Sequence, residues 1–324
     1  MDPTLLEILV CPRDKLPLRE ESCSLRCPDG HRYSIVEGIP ILLLGEMEQT
    51  HEEGKRALEA AESPEADRQA NSSSLRPGQI DPFVSEIIAA TNGSLYRYLV
   101  GNLTDYPIPN LRLPAGAGKL FLEIGCNWGR WCVAAARMGY RPVGIDPSLK
   151  GIRAAKKVAQ QLGIEAHYLV ADGRRLPFPD VVFEQVFSYS TLQHLSKANT
   201  RATLLEVRRV LRPGGKCLIQ MPNVFGIRCL YHQARRGFRE TRDFEVRYWT
   251  PGELISSFAL ALGPSRIFVD GYFTLNPQVS DLRFLPAKYR AIVRASEALR
   301  KLSDVFSPLA YLADSLYIAS TRES

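Results

Sequence analysis

Between Leu120 and Trp131 the chain reads Leu-Phe-Leu-Glu-Ile-Gly-Cys-Asn-Trp-Gly-Arg-Trp, an apolar run that stops in small and polar residues. A strand ending in Gly125, a tight turn through Asn127 and a helix opening at Gly129 let the backbone approach a ligand. They also offer it the free N–H groups of a helix start. Two carboxylates follow at matching places. Asp146 lies in Gly144-Ile-Asp-Pro147, 21 residues beyond Gly125, where an acidic residue accepts hydrogen bonds from ribose hydroxyls. Asp172, in Ala171-Asp-Gly173, ends the next apolar run and can accept from an adenine amino group. A dinucleotide is disfavoured, because Arg130 stands where a pyrophosphate loop needs its third glycine. Two carboxylates also repel phosphate, whereas they suit a zwitterionic nucleoside bearing a sulfonium centre.

Further chemistry is offered by Ser188, Tyr189 and Ser190, followed by Gln193 and His194. Where an acceptor hydroxyl must lose a proton, a neutral imidazole is the natural base, and His194 is the candidate catalytic residue. Residues Asn223 to Trp249 carry Arg228, Arg235, Arg236, Arg239, Arg242 and Arg247. With Tyr189, three of these (Arg235, Arg236 and Arg239) form the expected substrate-binding set, since guanidinium groups grip phosphate or carboxylate. The plainer alternative is a solvated basic helix partly neutralised by Glu240, Asp243 and Glu245. His51, His167 and His232 have no supporting constellation and are read as surface or packing residues.

These groups need a scaffold. From Lys119 onward short apolar runs alternate with helical patterns, and strands are expected at Leu120–Ile124, Pro142–Ile145, His167–Ala171, Gln185–Tyr189 and Lys216–Gln220. Two more, Arg266–Val269 and Leu316–Ala319, flank a helical pattern near Lys288–Leu302. Ile152, Ala155, Ala159 and Leu162 line one face of a helix that stops at Gly163. Leu204, Leu205, Val207, Val210 and Leu211 repeat at helical intervals up to the breaker Pro213-Gly-Gly215. Such alternation implies a parallel sheet covered on both faces. The chain divides into a small unit at 1–45, a polar linker at 46–80, a helical lead-in at 81–118 and the α/β domain at 119–324. Cap segments are expected at 223–249 and 276–313.

Composition sets the outer bounds. Lys and Arg exceed Asp and Glu by 41 to 35 over 324 residues, a mild excess that fits an acidic substrate or a nucleic acid without demanding either. Seven cysteines, three of them (Cys11, Cys23, Cys27) within the first thirty residues, look like reduced thiols plus a metal cluster and not a disulfide framework. No signal peptide or membrane span is evident, so a cytoplasmic location is expected.

The whole pattern resembles the class I methyltransferases of the type 11 group. The resemblance rests on Glu123-x-Gly125-x-Asn127-x-Gly129, Asp146 and Ala171-Asp-Gly173. It continues through Leu176-Pro-Phe-Pro-Asp180, Phe187-Ser-Tyr-Ser190, Leu192-Gln-His194 and Arg209-Val-Leu-Arg-Pro-Gly-Gly215, covering about two-thirds of the chain. It implies a seven-stranded, mostly parallel Rossmann-like sheet with helices on both faces, and S-adenosyl-L-methionine as cofactor. The cofactor-binding set it implies is Glu123, Gly125, Cys126, Asn127, Gly129, Asp146, Pro147, Asp172, Gly173 and Ser188. Within that set Gly125 and Asn127 line the methionine end, Asp146 holds the ribose and Asp172 faces the adenine. Asn127, often glycine, and Glu184, often aspartate, depart from the pattern.

Leu5-Leu-Glu-Ile-Leu-Val-Cys-Pro12, Leu25-Arg-Cys27 and Tyr33-Ser-Ile-Val-Glu-Gly-Ile-Pro-Ile-Leu-Leu43 resemble a small zinc-ribbon-like module. Its relatives occur fused to methyltransferases or act as activating partners of those that modify RNA and translation factors. Two C-x-x-C knuckles bind zinc in that family; here they read Cys11-Pro-Arg-Asp14 and Cys27-Pro-Asp-Gly-His31. Cys11, Asp14, Cys27 and His31 are therefore the candidate zinc ligands, with Cys23 in reserve. A metal-free module with a small core around Ile8, Leu18, Ile35 and Ile39 is the alternative. The implied activity is methyl transfer to a small-molecule acceptor enclosed by the cap segments. An RNA methyltransferase and a non-catalytic cofactor-binding partner subunit are the competing readings.

Overall fold

The computed structural model describes residues 1–63, 80–91, 94–273 and 278–323. The N-terminal unit opens with helix α1 (Pro3–Leu6) and continues as an antiparallel meander of β1 (Arg19–Glu21), β2 (Ser24–Arg26), β3 (Arg32–Val36) and β4 (Ile39–Leu42). Helices α2 (Glu52–Glu62) and α3 (Pro82–Thr91) lead into the main domain. Its elements are β5 (Leu120–Ile124), α4 (Arg130–Arg137), β6 (Arg141–Asp146), α5 (Leu149–Leu162), β7 (His167–Ala171) and β8 (Phe183–Ser188). They continue with α6 (Lys197–Val210), β9 (Leu211–Pro222), α7 (Ile227–Arg235), α8 (Pro251–Leu262), β10 (Ser265–Gly271), α9 (Ala287–Val305) and β11 (Ser315–Thr321).

All seven expected strands are present, in the order β7-β6-β5-β8-β9-β11-β10. Neighbours from β7 to β9 are parallel, and β11 runs antiparallel to both β9 and β10. Strands such as β6 are buried along almost their whole length, as layers of helix on both faces require. The sheet is larger than the sequence implied, with eleven strands. Ile41 and Leu42 of β4 pair in parallel with Val170 and Ala171 of β7, so the N-terminal meander extends the main sheet. The cause lies in β4 itself: Ile-Pro-Ile-Leu is apolar on both faces and buried throughout, which an isolated module could not achieve.

Helix α5 starts where the Ser148 hydroxyl accepts from Gly151 N–H at 3.0 Å and stops at Gly163, whose φ of 61° closes it in a left-handed turn. Helix α6 ends at Val210, before the expected breaker, because Leu211 turns extended and pairs with Phe183. Leu205 is 61% exposed and does not share the buried face of Leu204, Val207 and Val210.

Residues 46–63, expected as polar linker, are built into the fold. The His51 ring accepts from Glu53 N–H at 3.0 Å to cap α2, and Ala57 and Ala60 pack in one cluster with Ile152, Ala155 and Ala159 of α5. Residues 64–79 lie outside the described residues. In the lead-in, Val84, Ile87 and Ile88 of α3 join Tyr106, Ile108 and Leu111 in a second core around Phe121, Trp128 and Trp131.

Candidate functional site

A cavity of about 780 Å³ opens at the carboxyl ends of β5, β6, β7 and β8, where open α/β sheets take ligands. Its floor is the loop after β5. Gly125 (φ 79°), Asn127 (φ 45°) and Gly129 (φ 78°) all adopt left-handed backbone. At Gly125 a Cβ would come within 2.1 Å of Thr191 Oγ1, and at Gly129 within 2.7 Å of the Tyr168 hydroxyl. Only glycine fits either place. Asn127 tolerates the conformation because its side-chain oxygen accepts from Trp128 N–H at 2.9 Å.

Asp146 ties this loop to β6. Its two oxygens accept from Asn127 N–H and Ser148 N–H, each at 2.9 Å. Burial nevertheless raises its carboxyl to about 6, against the lowering effect of those two bonds. Asp172 also lines the cavity, but its carboxylate is held by Arg174, with contacts from 2.6 to 3.1 Å, and caps the turn that follows. Cys126, Pro147 and Gly173 also line the cavity, whereas Gly129 supports the loop from behind.

Ser188 does not behave as a cofactor ligand. It is fully buried, and its hydroxyl donates to the Ile124 carbonyl at 2.7 Å, pinning β8 to β5. Small polar residues near strand ends serve the ladder as often as a ligand, and sequence alone does not separate the two.

Two ionisable side chains fit a zwitterionic ligand. Glu123 is 1% exposed, its Oε2 has no hydrogen-bond partner, and burial lifts its carboxyl to about 8. An ammonium group in the cavity would supply the missing partner. Arg130 is 8% exposed, with Nε unpartnered, and it pairs with the buried Asp281 at 3.3 Å. Its guanidinium lies 5.9 and 5.7 Å from the ring centres of Trp128 and Trp131. Arg130 lines the cavity and is suited to a ligand carboxylate. In the sequence Arg130 serves only to exclude a pyrophosphate, and its position directly after Gly129 is the signal for this further role.

The walls come from distant segments. His194 lines the cavity and stacks on Phe244 at 3.9 Å, while its Nδ1 lies 2.7 Å from the Phe244 carbonyl. That carbonyl can only accept, so Nδ1 carries the hydrogen and Nε2 is an acceptor, with the donating Gln193 amide nitrogen 3.2 Å away. Burial lowers the imidazole to about 4, only partly offset by the Phe244 bond. Tyr189 is on the wall, but its hydroxyl donates to Asp270 at 2.8 Å and accepts from Gln278 at 2.9 Å. His51, read from sequence as surface or packing, is also on the wall, edge-on to Phe244 at 4.2 Å. Glu86, Ile87 and Thr91 of α3 complete the enclosure. An amphipathic helix announces a buried face in sequence but not what that face meets, so these residues were missed.

Arg235, Arg236 and Arg239 are not brought to this cavity. They line a shallow neighbouring concavity, divided from it by Phe244 and Val246, which border both. Arg239 is paired with Glu245 through contacts of 2.8 and 2.6 Å, and Arg236 lies over Tyr248 at 5.1 Å. From the other cap segment, Asp281 and Gln278 brace the wall through Arg130 and Tyr189; Asn276 and Pro277 lie outside the described residues.

In the N-terminal meander, donor atoms of Cys11, Asp14, Cys27 and His31 all lie within 4.8 Å of one another. Cys27 Sγ is 3.2 Å from Asp14 Oδ2 and 3.3 Å from His31 Nδ1, and Cys11 Sγ is 3.6 Å from the same nitrogen. Ligands around tetrahedral zinc sit about 3.5 Å apart, so two thiols, an imidazole and a carboxylate in this arrangement fit the ion. Cys23 is exposed and outside the cluster. Leu18 and Ile39 are buried and Ile8 and Ile35 partly so, which gives the module apolar packing as well.

Residues 121–215 match the methyltransferase domain family and residues 2–38 the Trm112p-like protein family. A ubiquinone biosynthesis O-methyltransferase of Agrobacterium fabrum is 31% identical over 30% of this chain and 38% of its own length. An uncharacterized methyltransferase of Geobacillus kaustophilus is 28% identical over 47% of this chain and 72% of its own. The chain thus spans about two-fifths of the ubiquinone O-methyltransferases it matches. Among solved structures, phosphoethanolamine N-methyltransferase 2 of Haemonchus contortus, in complex with S-adenosyl-L-methionine, aligns with a TM-score of 0.49. It is 15% identical, over 77% of this chain and 62% of that one. A complex containing the Haloferax volcanii Trm112 methyltransferase activator aligns with a TM-score of 0.46 at 16% identity, over 75% and 94%. The chain thus joins a Trm112p-like module at residues 2–38 to a methyltransferase domain at residues 121–215.

Proposed function

We propose that this chain transfers the methyl group of S-adenosyl-L-methionine to a small-molecule acceptor through a hydroxyl or similar nucleophile. The observation that carries the reading is the left-handed Gly125–Gly129 loop, with Asp146 beneath it and Glu123 and Arg130 at its two sides. When bound, the cofactor supplies an electrophilic methyl group. The chain's own residues then have three tasks. Glu123 and Arg130 take the ammonium and carboxylate, and Asp146 takes the ribose hydroxyls with its remaining lone pairs. His51, Phe244 and α3 exclude water and hold the acceptor in line. His194, neutral at physiological pH, presents Nε2 to an acceptor hydroxyl that takes the place of the Gln193 amide; so low a basicity suits an orienting hydrogen-bond acceptor better than a strong base.

Calorimetry with S-adenosylhomocysteine and NAD tests the cofactor half. The first should bind and the second should not, and Asp146→Ala should cost about 1.5–3 kcal/mol of affinity. Tight NAD binding, or an unchanged Asp146→Ala, removes this reading. For the acceptor half, His194→Ala should lower turnover about 10- to 100-fold while leaving cofactor affinity nearly intact.

In the N-terminal module, Cys11, Asp14, Cys27 and His31 would hold a structural zinc that crosslinks the meander. Metal analysis of purified protein should find about one zinc per chain, reduced in Cys27→Ser. Metal-free protein with normal stability would leave the module as an apolar docking unit. The free thiols of the seven cysteines support a cytoplasmic location. Among the described residues no helix is long and apolar enough to cross a membrane. The runner-up is an RNA methyltransferase, favoured by the Trm112p-like match at residues 2–38. Salt-sensitive methylation of structured RNA would establish it instead.

A further inference from the structure

The two cap segments make up a fifth of the chain, yet they hold most of its unusual surface. Among the described residues seventeen large hydrophobic side chains are exposed, and twelve of them lie in residues 223–249 and 276–313. The charge is concentrated in the same place. Each segment carries six basic and three acidic residues, so together they account for the whole formal charge of +6, and the rest of the chain is balanced. Single exposed apolar residues need no explanation, but a concentration of this kind does.

The geometry makes one face of it. On α7, Ile227, Leu230 and Tyr231 point outward at helical spacing, with Cys229 and Gln233 buried on the opposite side. Near the end of α9, Leu302, Val305 and Phe306 repeat the spacing, and Tyr311 and Leu312 follow. The two parts are fastened together. Asp314 Oδ1 accepts from Arg228 N–H and Cys229 N–H at 2.6 and 2.9 Å, pinning the start of α7. The Asn223 side chain donates to the Tyr311 and Ala313 carbonyls at 2.8 and 2.9 Å. The concavity lined by Arg235, Arg236 and Arg239 lies at the other end of α7.

We propose that this face lies on an anionic phospholipid surface, with the outward side of α7 and the α9 end seated at the headgroup–acyl boundary and the arginine concavity on lipid phosphates. An interfacial helix has this make-up: one apolar side and basic residues around it. Of the alternatives, RNA also attracts arginines and would find rings at Tyr231, Phe306 and Tyr311, but Ile227, Leu230, Leu302, Val305 and Leu312 offer a base nothing to stack on. Acyl chains, by contrast, take up aliphatic side chains directly. The proposal does not depend on which acceptor is methylated.

Co-sedimentation of the full chain with vesicles tests it. Binding is expected to phosphatidylcholine vesicles containing phosphatidylglycerol, and little to phosphatidylcholine alone. The double variant Ile227→Asp, Val305→Asp changes two exposed positions outside the cavity. It should weaken vesicle binding about ten-fold or more while leaving the melting temperature and S-adenosylhomocysteine affinity unchanged. Absence of wild-type binding to the mixed vesicles, or equal binding by the variant, overturns the proposal. So does retention of a structured RNA that the variant loses, which gives the face to RNA, or a dimer that the variant dissociates, which gives it to a second copy.

Discussion

The floor and the walls of the cavity are built by opposite strategies. The floor comes from one short stretch, Glu123 to Asp146, and its shape is set by backbone conformation at Gly125, Asn127 and Gly129. The walls are assembled from residues 50–53, 86–91, 189–195 and 244–246, which meet only through tertiary packing. A floor of this kind is intolerant of added atoms. Walls made of side chains from separate segments can be altered one at a time, which is how one cofactor site comes to serve many acceptors.

The sharpest way to break this contrast is Gly125→Ala. The new methyl would collide with Thr191 in a backbone region that disfavours it, and a loss of about 3–5 kcal/mol in stability is expected, with cofactor binding abolished. A variant that melts and binds as the wild type does would show that the loop is not the rigid part. The next effect is stabilising. Because burial raises Glu123 to about 8, its contribution to stability is full below the ordinary value of 4.5 and is lost as the pH rises through about 8. Glu123→Gln mimics the protonated form, so it should stabilise the unliganded protein by on the order of 3 kcal/mol near pH 7 and by nothing near pH 4. Denaturant titrations at the two pH values decide this; a gain independent of pH would point to packing instead. The smallest effect belongs to the concavity beside the cavity. Arg239→Gln breaks an exposed pair with Glu245 and should leave both melting temperature and cofactor affinity within experimental scatter. A marked loss of cofactor affinity there would reunite the two hollows into one site.

The same contrast explains what could be read from sequence. The seven strands and the glycine loop were legible because each depends on neighbouring residues: apolar runs, breakers, and positions where only glycine fits. Asp146 was placed by its spacing alone. Ser188 misled because its environment is decided by Ile124, far away in sequence, and Arg235, Arg236 and Arg239 because Phe244 and Val246 divide their hollow from the cavity. The place of His51 and of α3 at the cavity was hidden for the same reason, although the helix itself was expected. The role of α2 was hidden too, since its buried alanines give no strong apolar pattern.

The pairing of β4 with β7 also bears on how the chain reaches its fold. Without residues 39–42, Val170 and Ala171 would present a row of unmet donors and acceptors at an apolar sheet edge, the template on which chains aggregate. The N-terminal meander is thus an edge guard as well as a module. Because β4 and β7 lie far apart in sequence, their contact closes a long loop and is expected to form late in folding, after the central strands.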